Sequence, residues 1–253
     1  MLLRRILLPL VSVVALLGSC TTSYIVQGSS TISSLDGSKL YLKTVKDNEL
    51  QDIDSCEILH GKFQFTGALD TVKMANLFMD EEGIMPMVLE KGEIVIRLDN
   101  AVQSVGGTPF NDKLYDFLEK HKQLENQMLE LSHKESQMLL EGIDEYQISL
   151  YLNSEVSRIT KEEDNLVTTF IVENFDNVLG PGVFMMLTNG YPYPILTPQI
   201  EHIMSKATSK FKSDPYVADY YKRATEYERQ LQGLDNEVVP VVAGDTLSAG
   251  DKR

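Results

Sequence analysis

Through the first half of the chain, apolar and polar residues alternate in short runs divided by turn residues. Tyr24-Ile25-Val26 is rich in strand formers. Lys39-Leu40-Tyr41-Leu42-Lys43 alternates after a turn at Leu35-Asp36-Gly37-Ser38, and Cys56-Glu57-Ile58-Leu59 leads into a turn at His60-Gly61. Lys62-Phe63-Gln64-Phe65-Thr66 places Phe63 and Phe65 on one face, because strand side chains alternate sides. Met74 to Met79 reads as a further strand. Met87-Val88-Leu89, a turn at Glu90-Lys91-Gly92-Glu93, and Ile94-Val95-Ile96-Arg97-Leu98 predict a hairpin. About seven strands of this spacing predict a small antiparallel sandwich or barrel over residues 23–108.

The period changes at Gly106-Gly107-Thr108-Pro109, where Thr108 reads as a helix N-cap and Pro109 as the first helical residue. Phe117, Leu124, Leu131 and Met138 recur at heptad spacing, with Leu114, His121, Met128 and Glu135 beside them. This predicts a long amphipathic helix ending near Gly142, whose seam serves either a second copy of the chain or the helix that follows. A second helical stretch runs from about Ile143 to Phe175, with a break near Tyr151–Ser154 or at Lys161-Glu162-Glu163-Asp164. Gly180-Pro181-Gly182 reads as a turn and Val183–Leu187 as a short helix. Thr197-Pro198 and Asp214-Pro215 each pair an N-cap with a proline and start helices carrying Ile200 to Phe211 and Val217 to Leu231. The fold class is therefore α+β: a β domain over 23–108, a helical domain over 109–234, and a tail over 235–253, apolar at Val238–Val242 and small and polar from Gly244 on.

At the N-terminus, Arg4 and Arg5 precede the apolar run Ile6–Leu17, which is shorter than the roughly 20 residues a membrane span requires. Leu17-Gly18-Ser19-Cys20 follows, an apolar residue and two small ones before a cysteine, which resembles a bacterial lipobox. That resemblance implies a signal peptide over 1–19, cleavage between Ser19 and Cys20, a diacylglycerol on the Cys20 thiol, and a lipid-anchored start over 20–22. Thr21 in place of Asp implies the outer membrane, with the body facing the periplasm. Acyl chains of this kind anchor a protein without spanning the bilayer. The 253 residues carry 23 Lys and Arg against 37 Asp and Glu, a net charge of −14. So acidic a chain argues against sequence-independent nucleic-acid binding, which draws on Lys and Arg at phosphates.

Several short signatures fall in order along the chain: Asp36-Gly37 before Leu40-Tyr41-Leu42, Asp54-Ser55, Gly61-Lys62-Phe63-Gln64-Phe65, Leu89-Glu90-Lys91-Gly92, and Gly107-Thr108-Pro109 before Asn111. Together they resemble the N-terminal β domain of unknown function found in Bacteroidetes lipoproteins, where a helical linker and a thioredoxin-like domain usually follow. Phe170-Ile171-Val172-Glu173-Asn174 and Asp214-Pro215-Tyr216 resemble that linker. The family's thioredoxin chemistry uses a Cys-x-x-Cys pair, and this sequence contains none. The resemblance therefore implies an accessory of envelope thiol-redox proteins, or a decayed paralogue of one.

The remaining chemistry is sparse. Cys56 is the one thiol left once Cys20 is lipidated, and reads either as a small buried hydrophobe or as a residual thiol-oxidoreductase or redox-partner residue. His60, His121, His133 and His202 show no metal-ligand spacing, and His121 sits in the apolar stripe of the long helix. Asp80-Glu81-Glu82 and Glu162-Glu163-Asp164 follow no Ca²⁺-loop pattern and read as solvated faces. Tyr191-Pro192-Tyr193-Pro194 reads as an interaction surface through Tyr191 and Tyr193, or as a rigid connection over the helices. The expectation is a non-enzymatic binding or scaffolding lipoprotein with no catalytic residues, no metal and no cofactor, partnered by a membrane through Cys20.

Overall fold

The computed structural model describes residues 22–46, 49–100 and 103–233. The expected leader 1–19 with Ser19, the expected lipid attachment at Cys20 and the expected tail 235–253 lie outside the described residues. Strands occupy the first part: β1 (Ser23–Ser30), β2 (Lys39–Lys46), β3 (Glu49–Glu57), β4 (Lys62–Ala68), β5 (Lys73–Met79), β6 (Glu82–Leu89), β7 (Gly92–Leu98) and β8 (Gln103–Gly106). They form two four-stranded sheets, ordered β4-β1-β7-β8 and β3-β2-β5-β6, which enclose one apolar core. Val26, Leu40, Leu42, Phe65, Leu77, Ile94 and Ile96 fill it, and Phe63 and Phe65 share its face. The α+β class and the N-terminal sandwich are as the sequence pattern predicts.

Three features differ from that pattern. First, the expected hairpin of Met87–Leu89 with Ile94–Leu98 does not form: β6 pairs with β5 in one sheet, and β7 lies in the other. The reason is that Met87, Val88 and Leu89 are all buried. Met87 and Leu89 face the sandwich core, and Val88 faces the helical core. A strand buried on both faces reads as a continuous apolar run, which gives no clue to its partner. Second, β7 pairs parallel to β1, so the first sheet is mixed. Third, β3 extends well upstream of Cys56. It is an edge strand with no fully buried residue, so its polar sequence carries no alternation.

Among the described residues, six α-helices follow: α1 (Pro109–Leu140), α2 (Glu145–Glu173), α3 (Leu179–Asn189), α4 (Pro198–Lys206), α5 (Ser209–Lys212) and α6 (Pro215–Leu231). Gly142, at φ 74°, closes α1 with a Schellman turn: its N–H donates to the Leu139 carbonyl and that of Ile143 to the Met138 carbonyl. Asp144 then caps α2 by accepting from the Tyr146 N–H. Neither expected break occurs in α2, which is continuous, with Arg158 bonded to both Glu155 and Glu162 across that region. The α1 seam faces α2. Phe117, Leu124 and Met138 are buried, and the Phe117 ring lies 4.4 Å from that of Phe170. Gly180-Pro181-Gly182 is not a free turn but the first turn of α3. The helix begun by Pro198 stops at Lys206, and Thr208 caps α5 by accepting from the Phe211 N–H.

A polar node at Asn111 joins the two parts. The buried Asn111 side chain accepts from the Val88 N–H (2.8 Å), while its Nδ2 donates to the Val88 carbonyl (2.8 Å) and to Thr108 Oγ1 (2.8 Å). It pairs with the outer edge of β6 as a neighbouring strand residue would. One helical turn on, the Tyr115 hydroxyl donates to the Pro86 carbonyl at 2.9 Å. Four helical residues rise about 6 Å and two strand residues about 6.6 Å, so α1 covers the edge in register. Thr108 is not the side-chain cap that its type suggests. Glu90 fills that role from the β6–β7 turn, its Oε1 accepting from Phe110 N–H (2.8 Å) and Asn111 N–H (3.2 Å). A carboxylate there also complements the positive end of the helix dipole.

Replacing Asn111 with Ala strands both Val88 backbone groups in the interior. Asn111→Ala is expected to lose roughly 2–4 kcal/mol of stability in urea unfolding followed by circular dichroism. A loss within experimental error of zero contradicts the role given to the node.

Candidate binding cleft between the sandwich and the helices

The β2–β5 ladder ends at Lys43 opposite Asn76, and beyond that point the two strands splay. The Thr44 hydroxyl donates to the part-buried Met74 carbonyl at 2.8 Å. Met74 and Asn76 point away from the sandwich core, since Ala75 and Leu77 are the buried alternates. Against this outer face lies α3. An added Cβ on Gly182 would sit 2.8 Å from Met74 Cγ, so glycine is what permits the approach. The remaining space is a cleft of about 370 Å³, with Val45, Val72 and Met74 on the sheet side and Val178, Pro181, Met185, Met186 and Tyr216 on the helix side. That size and mixture suit a small-molecule site, concave and mostly apolar with a few polar groups.

The walls are fixed by hydrogen bonds. Asp214 caps α6, accepting from the N–H groups of Tyr216 and Val217. The Tyr216 hydroxyl lies 2.8 Å from Thr188 Oγ1 and donates to Asn189 Oδ1 at 3.2 Å. Lys46 and Lys73 also line the cleft. Lys73 lies 2.6 Å from Asp70 Oδ1, and the hydrogen bond it donates holds the Asp70 carboxyl below its ordinary range. The chain's N-terminal lead arrives close by: the Leu69 N–H donates to the Thr22 carbonyl at 2.7 Å, three residues before Val72. Three extended residues span at most about 10 Å. A larger groove, about 630 Å³, runs along the α1–α2 hairpin, but its walls are mainly polar, including Gln123, Asn126, Gln127 and Glu130.

Cys56 stands at the other end of the second sheet, opposite Leu40, partly buried against the sandwich core. Burial pushes its thiol up to about 11; Asp54 pushes the same way, and a backbone hydrogen bond from Gln64 opposes them. His60 is an exposed turn residue with φ 53°. The His121 Nε2 lies 3.0 Å from Glu163 Oε1, bridging α1 to α2, while Glu162 pairs with Arg158. His133 and His202 are exposed, as are Asp80, Glu81 and Glu82. Among the described residues, no group of three or more His, Cys, Asp or Glu side chains is placed to hold a metal ion. Tyr191 packs against the helical core, whereas Tyr193 is half exposed with its ring 4.9 Å from that of Tyr227, so the two tyrosines have different neighbours.

The cleft residues were missed in the sequence pattern, although two signals point to them. Met74 is a large apolar residue at an outward position of a strand, and Gly180-Pro181-Gly182 is a small-residue stretch opening a helix. Both mark a second packing surface.

A sandwich joined to a helical body through one capped helix thus defines an α+β protein with a cleft at the junction. Residues 24–114 match the family model of a domain of unknown function (DUF4369). The match runs past the strands to Leu114, so it takes in Glu90, Thr108 and Asn111 and covers the sandwich together with the helical turn bonded to it. No curated protein matches the chain.

With the Cys56 pKa moved from 9.0 to about 11, the thiolate is about 100-fold scarcer at neutral pH. Native Cys56 is expected to react with a soluble thiol reagent at least that much more slowly than in the unfolded chain, with a rate rising toward pH 11. Because the folded pKa is raised, the stability linked to this proton is complete below pH 9 and is lost as pH climbs to about 11. Fast labelling at pH 7 contradicts this placement.

Proposed function

We propose that the protein is a lipid-anchored envelope lipoprotein, facing the periplasm, that binds an apolar ligand in the cleft between sandwich and helices without transforming it. The observation that carries this reading is the cleft itself, walled by methionines and by a hydrogen-bonded Tyr216, next to the point where the chain's lead arrives. The anchor rests on Arg4-Arg5, the apolar run to Leu17 and Leu17-Gly18-Ser19-Cys20, with Thr21 favouring the outer membrane. The sandwich resembles the β domain of Bacteroidetes lipoproteins that precedes a thioredoxin-like domain, and the match over residues 24–114 supports a domain of unknown function there and no more of that resemblance. An accessory role beside thiol-redox lipoproteins follows from it. The second reading, a residual thiol oxidoreductase or redox partner, depends on Cys56. A protonated, half-buried thiol across the sheet from the cleft favours binding over redox chemistry.

The test is mass spectrometry of the full chain purified from the envelope, under native and then denaturing conditions. A diacylglycerol mass at Cys20 is expected to survive denaturation, and a second, non-covalent ligand is expected to be lost with it. Val72→Asp is expected to remove the non-covalent ligand and Cys56→Ala to keep it. A ligand retained in Val72→Asp, or lost in Cys56→Ala, overturns the assignment to the cleft. An unmodified Cys20 overturns the anchor.

A further inference from the structure

We propose that the cleft takes the chain of a free long-chain fatty acid, with its carboxylate at Lys46. This deepens the binding reading above and rests on it. Three observations point to an unbranched acyl chain. Met74, Met185 and Met186 line the cleft, and unbranched, polarizable thioethers adapt to a flexible chain better than branched side chains do. A peptide, by contrast, needs partners for its backbone. Thr44 already occupies the Met74 carbonyl, and the splayed ends of β2 and β5 are paired on their outer sides with β3 and β6. The cleft thus offers only a few residues of strand, too short for strand addition, whereas an acyl chain has no polar groups to satisfy. The charge pattern agrees with the headgroup at one point: Lys46 lines the cleft at an exposed position, whereas Lys73, also in the lining, is held 2.6 Å from Asp70. The third acid or base of the lining, Asp214, is turned onto the amides of its own helix.

The test uses the full chain held in amphipol, titrated with a sixteen-carbon fatty acid bearing a diazirine near its methyl end, irradiated, digested and mapped. Saturable adducts are expected on the peptides carrying Met74, Met185–Met186 and Tyr216, displaced by the unmodified acid at least 10-fold better than by its methyl ester. Lys46→Glu, at an exposed position, is expected to weaken half-saturation about 10-fold, and Val72→Asp to abolish these adducts while the far-ultraviolet circular dichroism is unchanged. Adducts that do not saturate, that spread over the surface, or that survive Val72→Asp overturn the proposal. So does equal displacement by the ester, which points to a neutral lipid. If the ligand found on the envelope-purified protein is a peptide or a bilayer phospholipid, the fatty acid is wrong while the cleft remains a binding site. A cleft empty in both experiments removes the binding reading as well.

Discussion

The side-chain amide of Asn111 meets both backbone groups of Val88, and much else in the molecule follows from that contact. β6 is the edge strand of its sheet, and an uncovered edge invites pairing with another chain. Here α1 covers it, Asn111 at Val88 and Tyr115 at Pro86, while Glu90 caps the same helix from the turn that carries the chain to the other sheet. The strand, the turn and the helix therefore constrain one another. Val88 can face the helical core because its backbone N–H and carbonyl, which point outward from the sheet, are both taken by the Asn111 side chain.

The same contact positions the cleft. Met74 lies opposite Val88 in the β5–β6 ladder and packs on Gly182 of α3. A line of packed and hydrogen-bonded groups thus runs from the first turn of α1, through β6 and β5, to the floor of the cleft and on to α3. The Tyr216 hydroxyl, held by Thr188 and Asn189, fixes the opposite wall. A site framed in this way is formed before a ligand arrives, which reduces the ordering cost of binding.

Much of the fold is legible in the sequence. Phe63 and Phe65 alternate because their strand has one buried face, and Thr197-Pro198 and Asp214-Pro215 start helices because the side chain and the ring suit the first turn. Asp144 and Gly142 shape the α1–α2 turn by local hydrogen bonds of the same kind. The β6–β7 crossing is not legible, because Met87-Val88-Leu89 is buried on both faces and its run of apolar residues looks like any hairpin arm. Thr108 misleads for a related reason: the group that caps α1 is Glu90, a turn residue distant in sequence and near only in the folded chain. The cleft is hidden likewise, since Met74 and Met185 meet only when sheet and helix are packed.

The Asn111–Val88 pairing holds the sandwich and the helices as one body and so keeps the cleft formed. Amide hydrogen exchange on the full chain, compared between the wild type and Asn111→Ala, tests this most directly. Protection is expected to fall together at residues 108–114, at 72–76 and at 178–186, the last two being the facing walls of the cleft. Loss of protection confined to 86–90 and 108–114, with both cleft walls unchanged, contradicts it.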